Sequence, residues 1–130
     1  MKILIETIPH REQRYETIGD WQWEGPEALR IRVSDLGDWR MNLLVARHEL
    51  DEAMLCKLEG VTQEAVDQYD FTHPEAGGDC FSDDLDAPYS SAHNAALAAE
   101  YTLSRLLGVD WKEYDRCVSS LLAPMATAQE

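Results

Sequence analysis

Residues 1 to 34 alternate with a period of two. Ile3, Ile5 and Thr7 fall on one side of a strand, and Leu4, Glu6 and Ile8 fall on the other. Apolar residues on both sides predict a strand packed on two faces or set at a sheet centre. Tyr15 to Trp23 predicts a second strand, with Trp21 and Trp23 on one face. Gly25-Pro26 makes a turn. Leu29, Ile31 and Val33 then alternate with Arg30, Arg32 and Ser34, which predicts a one-sided third strand in a hairpin with the second. After Gly37 the period becomes helical. Asp38 is an N-cap for a helix over 38–59 that ends at Gly60, and Thr62 caps a shorter helix over 62–70 with Glu64 in its first turn. Residues 72–88 contain two Pro, two Gly and several Asp, and read as an acidic loop. Ser90 or Ser91 opens a helix over 90–107 that stops at Gly108. Asp110 with Glu113 predicts a capping box for a helix over 111–122, whose Trp111, Tyr114, Val118 and Leu121 mark the inner face. A sheet followed by helices is an α+β order. The expected domain is a single one, with a three-stranded antiparallel sheet packed against about four helices.

Composition narrows the setting. The chain has 130 residues, and 45% of them are hydrophobic, enough to bury one core. It carries 25 acidic and 11 basic side chains, a net charge of -14. Such a charge repels nucleic-acid backbones and anionic lipid, so neither direct nucleic-acid binding nor membrane association is expected. No apolar run approaches the roughly 18 residues of a membrane span, and no secretory pattern opens the chain. Cys56, Cys80 and Cys117 are odd in number and widely spaced, which gives no disulfide framework and favours a reducing, cytoplasmic compartment. The acids are unevenly distributed. No Lys or Arg lies between Lys57 and Arg105, and ten acids fall in that gap.

The helix over 38–59 carries the candidate chemistry. Residues four apart share a helix face, so His48 and Glu52 sit one above the other among Met41, Leu44, Val45, Leu55 and Cys56. A carboxylate in an apolar stripe needs a cation, a metal or a strong donor beside it. The spacing offers an imidazole nitrogen and a carboxylate oxygen to one metal ion, as two imidazoles do in His-Glu-x-x-His. Glu49 then holds the general-base position. His93 is the candidate third ligand, completing a two-His, one-carboxylate set suited to catalytic zinc. His93, Ala96, Leu97, Glu100 and Leu107 share a face of the helix over 90–107, so Glu100 is the alternative third ligand or an orienting group. Another divalent metal, such as Mg²⁺, Mn²⁺ or iron, suits the set if both Glu49 and Glu100 coordinate. The same spacing also serves a plain hydrogen-bonded His–Glu pair in a half-buried seam.

Two resemblances rest on these residues. A short sheet, a helix bearing His48-Glu49 and a later helix with a further ligand resemble the minimal zincin-type metallopeptidase core. Glu52 departs from that pattern, which has a second His there. Over almost its whole length the chain also resembles a family of small phage and prophage proteins. That likeness is carried by Ile5 to His10, Gln13-Arg14-Tyr15, Gly19-Asp20-Trp21, Ile31 to Ser34, His48 to Ala53, Ala87-Pro88-Tyr89 with His93, and Leu107 to Trp111. It implies the cytoplasm of a bacterial host cell.

Other motifs carry less. Glu49-x-x-Glu52 resembles half of the Mg²⁺ site of all-α nucleotide pyrophosphatases, without the second half. Asp79, Asp83, Asp84 and Asp86 have a calcium loop's composition but not its spacing. His10 and His73 adjoin prolines and read as loop residues. Cys56 reads as a small buried hydrophobe or a thiolate ligand. Trp21, Trp23, Trp39 and Trp111 read as core and sheet anchors. The leading expectation is a zincin-like protein binding zinc or another divalent metal through His48, Glu52, His93 and Glu100. Its activity would be hydrolysis of a peptide or amide bond with Glu49 as base. The alternative is a non-enzymatic acidic phage protein that binds and inhibits a host protein through the basic-free run 58–104.

Overall fold

The computed structural model of the chain describes residues 1–72 and 87–122. Three strands come first: β1 (Lys2–Ile8), β2 (Gly19–Gly25) and β3 (Ala28–Ser34). Four helices succeed them among the described residues: α1 (Trp39–Glu59), α2 (Gln63–Thr72), α3 (Ser90–Leu106) and α4 (Trp111–Leu121). The α+β order expected from the sequence is therefore present. None of these helices is long and apolar enough to cross a membrane.

The sheet is mixed, not antiparallel, and its order is β1-β3-β2. β2 and β3 form the expected antiparallel hairpin, with Trp21 opposite Ile31. β1 runs parallel to β3, pairing Ile3 with Leu29, Ile5 with Ile31 and Thr7 with Val33. The reason lies in residues 9–18, which cross one end of the sheet so that β2 starts beyond β3's place. That crossing is tied to the end of β3. Ser34 N–H donates to the Ile18 carbonyl (2.8 Å), Gln13 Nε2 donates to the Ile18 carbonyl (3.1 Å), and His10 Nδ1 meets Ser34 Oγ at 2.8 Å. His10 is thus a structural residue of the crossing, far from any ligand role.

β1 also departs from expectation in its surroundings. It lies at the edge, and Ile3, Leu4 and Ile5 are 42%, 43% and 45% exposed. α1 lies across β2 and β3, so the core forms over Trp21, Leu29, Ile31 and Val33 and leaves β1 outside it.

α1 begins and ends where its sequence directs. The Asp38 carboxylate accepts from Arg40 N–H at 2.9 Å, and Gly60 closes the helix at φ 77, in the left-handed region. Thr62 Oγ1 accepts from Ala65 N–H at the start of α2. Asp110 accepts from Lys112 N–H at the start of α4, but Glu113 turns to Arg116 (3.0 Å), so only half of the expected capping box forms. Of the tryptophans, Trp21 is buried and Trp23 and Trp111 pack against the core. Trp39 is 69% exposed and anchors nothing in the core, contrary to its sequence reading, because it occupies the outward side of α1's first turn. The loop acids Asp79, Asp83, Asp84 and Asp86, together with His73 and Cys80, lie outside the described residues.

Gly19 sets how closely β2 approaches α1. A Cβ there would meet Glu49 Cγ at 2.7 Å and Val45 Cγ1 at 2.8 Å, closer than side chains pack. Gly19→Ala should therefore push β2 off α1 and destabilise the fold by about 1–3 kcal/mol, the usual range for overpacking. Urea denaturation of both proteins measures the difference, and equal midpoints would refute the close contact.

Candidate metal centre

α1 and α3 pack side by side and bring together residues far apart in the chain. α1 supplies His48 and Glu52, one turn apart on its buried face, and α3 supplies His93 from its first turn. The three donor atoms form a nearly equilateral triangle. His48 Nε2 lies 3.2 Å from His93 Nδ1, His93 Nδ1 lies 3.1 Å from Glu52 Oε2, and His48 Nε2 lies 3.3 Å from Glu52 Oε2. Four ligands held tetrahedrally at zinc-like distances stand about 3.3 Å apart. These three residues can hold a metal ion, and all three are buried.

The surrounding groups hold the donors in place. His48 Nδ1 faces Glu100 Oε1 at 2.6 Å, and Tyr114 Oη donates to Glu100 Oε2 at 2.5 Å. When His48 is neutral and keeps its proton on Nδ1 toward Glu100, Nε2 turns a lone pair toward the triangle. Glu100 thus sits on the far side of His48 from the three donor atoms. Its geometry is that of the orienting group, not of the alternative third ligand. Trp21 Nε1 donates to Glu52 Oε1 at 3.0 Å and leaves Oε2 for the triangle. His93 Nε2 is buried and has no hydrogen-bond partner among the described residues.

Hydrogen bonds alone serve this triangle only when His48 is charged and donates from both ring nitrogens. If His48 donates from Nδ1 as a neutral ring, one proton on His93 Nδ1 is shared between two acceptors. A cation at the centre satisfies all three lone pairs together. Without an ion the same position is filled by a proton on His48, which a metal would have to displace. Burial opposes a charge on His48, but the hydrogen bonds and negative charges of Glu100 and Glu52 outweigh it and hold the imidazole's pKa well above its ordinary value. Burial likewise opposes the Glu52 charge, yet hydrogen bonds from His48, His93 and Trp21 keep this carboxyl below the usual range. Glu52 is therefore an anion inside the protein, as a ligand must be.

Glu49 is different. It is buried, packs on Gly19 and makes no hydrogen bond among the described residues. Burial, with the Glu52 charge next in weight, holds its carboxyl well above the carboxylate range. Cys56 is pushed up to about 12 by burial and by the Glu52 and Glu59 charges. It is packed in the core and is not among the three residues that could share an ion.

A second polar cluster adjoins the first and escaped the sequence reading. The buried Asp70 of α2 accepts from Tyr15 Oη at 2.9 Å and from Tyr89 Oη at 2.5 Å, and the Tyr89 ring stands against His93. Burial lifts the Asp70 carboxyl to about 6, with the two hydroxyls pulling it back. Nearby, Arg14 grips buried Asp20 with two bonds of 2.7 and 2.8 Å and reaches Asp67 at 3.1 Å. No periodicity links these residues, since Tyr15 and Asp70 lie on separate elements joined only by folding. The one signal was the place of Arg14, Tyr15, Asp20 and Tyr89 in the segments that carry the phage-family likeness. Asp70 and Glu100 belong to the basic-free run, yet both are internal and hydrogen-bonded, so they add nothing to an acidic outer face. No family model, no curated protein and no solved structure matches the chain.

Two outcomes test these contacts. Glu100→Ala leaves His48 Nδ1 and Tyr114 Oη facing a void, and should cost about 3–5 kcal/mol in chemical denaturation, with Glu100→Gln losing less. An unchanged midpoint in Glu100→Ala would refute the contact. For Asp70 the raised pKa means that the folded state holds its proton more tightly than the unfolded state, whose value is 3.8. Its stability contribution is full below 3.8 and is lost as pH rises through about 6. The stability difference between wild type and Asp70→Asn should therefore shift against wild type across that window, and a difference constant with pH would contradict the burial effect.

Proposed function

We propose that this protein is a zincin-like divalent-metal protein, with zinc as the metal and hydrolysis of a peptide or amide bond as its activity. The observation that carries the reading is the triangle of His48 Nε2, His93 Nδ1 and Glu52 Oε2, with edges of 3.1 to 3.3 Å. Two nitrogens and one oxygen are the donor set of catalytic zinc, which keeps one position open. A bound metal would act as a Lewis acid and bring a water within reach of deprotonation at neutral pH. The protein's own share is distinct. Glu100 orients His48, Trp21 orients Glu52, and the charges of Glu52 and Glu100 together balance a divalent ion. Glu49 would be the general base, with its carboxyl held above the ordinary range by burial and by the Glu52 charge. The helix bearing two donors across a small sheet, with the third donor from a later helix, supports the zincin likeness. A phage or prophage setting belongs to the same proposal and rests on the segments that carry that resemblance.

The burial of all three donors favours a second reading, in which the metal clamps α1 to α3 and does no chemistry. Turnover separates the two. A hydrolase loses amide cleavage in Glu49→Gln while keeping its metal; a structural site shows no cleavage in either protein.

Metal analysis of protein purified without a histidine tag should find about one divalent ion per chain. His48→Ala and His93→Ala should lose it, and Glu100→Gln should weaken it by about 10–100-fold. Metal-free protein after zinc loading would end the proposal. Proton competition gives a further check. Because Glu100 and Glu52 hold His48's pKa up, a metal must displace a tightly held proton. Affinity should fall as pH drops and should already be falling above 6.5, the ordinary imidazole value. Calorimetry in buffers of different ionisation enthalpy would record the released proton, and no proton release would argue against His48 as a ligand.

A further inference from the structure

The outer edge of β1 is open and apolar, while the other edge of the sheet is guarded. At β2 the pairing is broken between Trp23 and Gly25, and Trp23 N–H donates at 2.6 Å to the Gln63 side chain of α2. Among the described residues nothing pairs with β1 on its outer side. Lys2 N–H donates to the Glu27 carbonyl and the Ile8 carbonyl accepts from Asp35 N–H. The even-numbered residues of β1 therefore turn their backbone groups to β3. Ile3, Ile5 and Thr7 turn theirs outward. A strand with free backbone groups and exposed Ile3, Leu4 and Ile5 is a template for another strand.

The sequence of this edge is complementary to itself. We propose that β1 pairs antiparallel with β1 of a second copy of this chain, about a two-fold axis at Leu4. In that register Lys2 faces Glu6 of the second copy, Ile3 faces Ile5, and Leu4 faces Leu4. Opposite charges meet, and apolar residues meet apolar residues. The backbone agrees independently. Ile3 and Ile5, whose N–H and C=O groups point outward, become the hydrogen-bonded pair, and Leu4 becomes the close, non-hydrogen-bonded pair. Moving the axis to Ile3 sets Lys2 against Leu4, and moving it to Ile5 sets Leu4 against Glu6. Chemistry thus selects one register. Glu6 already holds Arg30 through Oε1 at 2.7 Å, which fixes its side chain on the face where Lys2 of the second copy arrives. The result is a continuous six-stranded sheet. Ile3 and Ile5 share the face of Leu29 and Ile31, so the two cores extend toward each other across the axis. An isologous contact of this kind closes on itself and forms no fibre.

Sedimentation velocity on the full chain over about a hundredfold range of concentration should show a monomer–dimer equilibrium. Leu4→Lys sets two ammonium groups against each other at the axis, and Lys2→Glu sets two carboxylates against each other. Each should raise the dissociation constant by about tenfold or more. Both positions are exposed, and far-UV circular dichroism checks that each variant keeps its fold. The register has its own readout. Leu4→Cys should crosslink to itself under mild oxidation, because non-hydrogen-bonded pairs place Cα atoms about 4.5 Å apart, within disulfide reach. Thr7→Cys should crosslink no more than the wild-type chain, whose own cysteines set the background. A chain that stays monomeric throughout, or a dimer that survives both charge variants, overturns the proposal. Equal crosslinking of Leu4→Cys and Thr7→Cys overturns the register.

Discussion

Glu52 is a carboxylate placed where water does not solvate it. Burying a lone charge costs several kcal/mol even after relaxation, on the order of what a whole small domain holds in net stability. The surrounding fold answers that cost. β2 brings the Trp21 indole to one carboxylate oxygen, and α1 and α3 bring two imidazoles to the other. Each partner comes from a different element, so the sheet, α1 and α3 must all be in place before Glu52 is satisfied. Glu100 and Tyr114 extend the same constraint into α4.

The interior that results is unusually acidic. Asp20, Glu49, Glu52, Asp70 and Glu100 are all buried. Four of them have partners: Arg14 for Asp20, two tyrosine hydroxyls for Asp70, His48 and Tyr114 for Glu100, and the three donors for Glu52. Glu49 has none among the described residues, and burial with the Glu52 charge raises its carboxyl's pKa. Glu49 and Glu52 are thus pushed in opposite directions, as pairs of carboxyls are where one site divides acid–base from electrostatic work. The chain's acidity is thus of two kinds. Most of the other acids among the described residues lie at the surface, where solvation suffices. The internal part is what a divalent ion would complete.

With β3 at the centre of the sheet, its two neighbours run in opposite directions relative to it, and only β2 is covered by the helices. β1 is left with good strand formers and nothing over them. Soluble proteins usually blunt such an edge with charge, proline or a bulge. Here β2 has a bulge and a side-chain cap, whereas β1 has apolar residues flanked by Lys2 and Glu6.

Element identities, the ends of α1 and the donors on its face were legible from the sequence, because local rules set them. Alternation marks strands, Asp38 and Gly60 carry their own capping chemistry, and the i, i+4 spacing of His48 and Glu52 survives any tertiary arrangement. His93 was legible as a third donor because it completes a two-His, one-carboxylate set and lies on a helix face with Ala96, Leu97 and Glu100. The parallel pairing of β1, the exposure of Trp39, the choice between Glu100's two readings and the Asp70 cluster were not legible. Each depends on which elements become neighbours, and no local pattern encodes that. Alternation tells a strand which faces it has, but not whether another element covers them; β1, apolar on both faces, ends at an exposed edge, while the one-sided β3 ends at the sheet centre. Donor types and the spacing of His48 and Glu52 were thus determined by the sequence itself. Which nitrogen faces the triangle, and which carboxylate stands behind it, only the packing of α3 and α4 against α1 decided, since a proton's position is set by the partner that folding supplies.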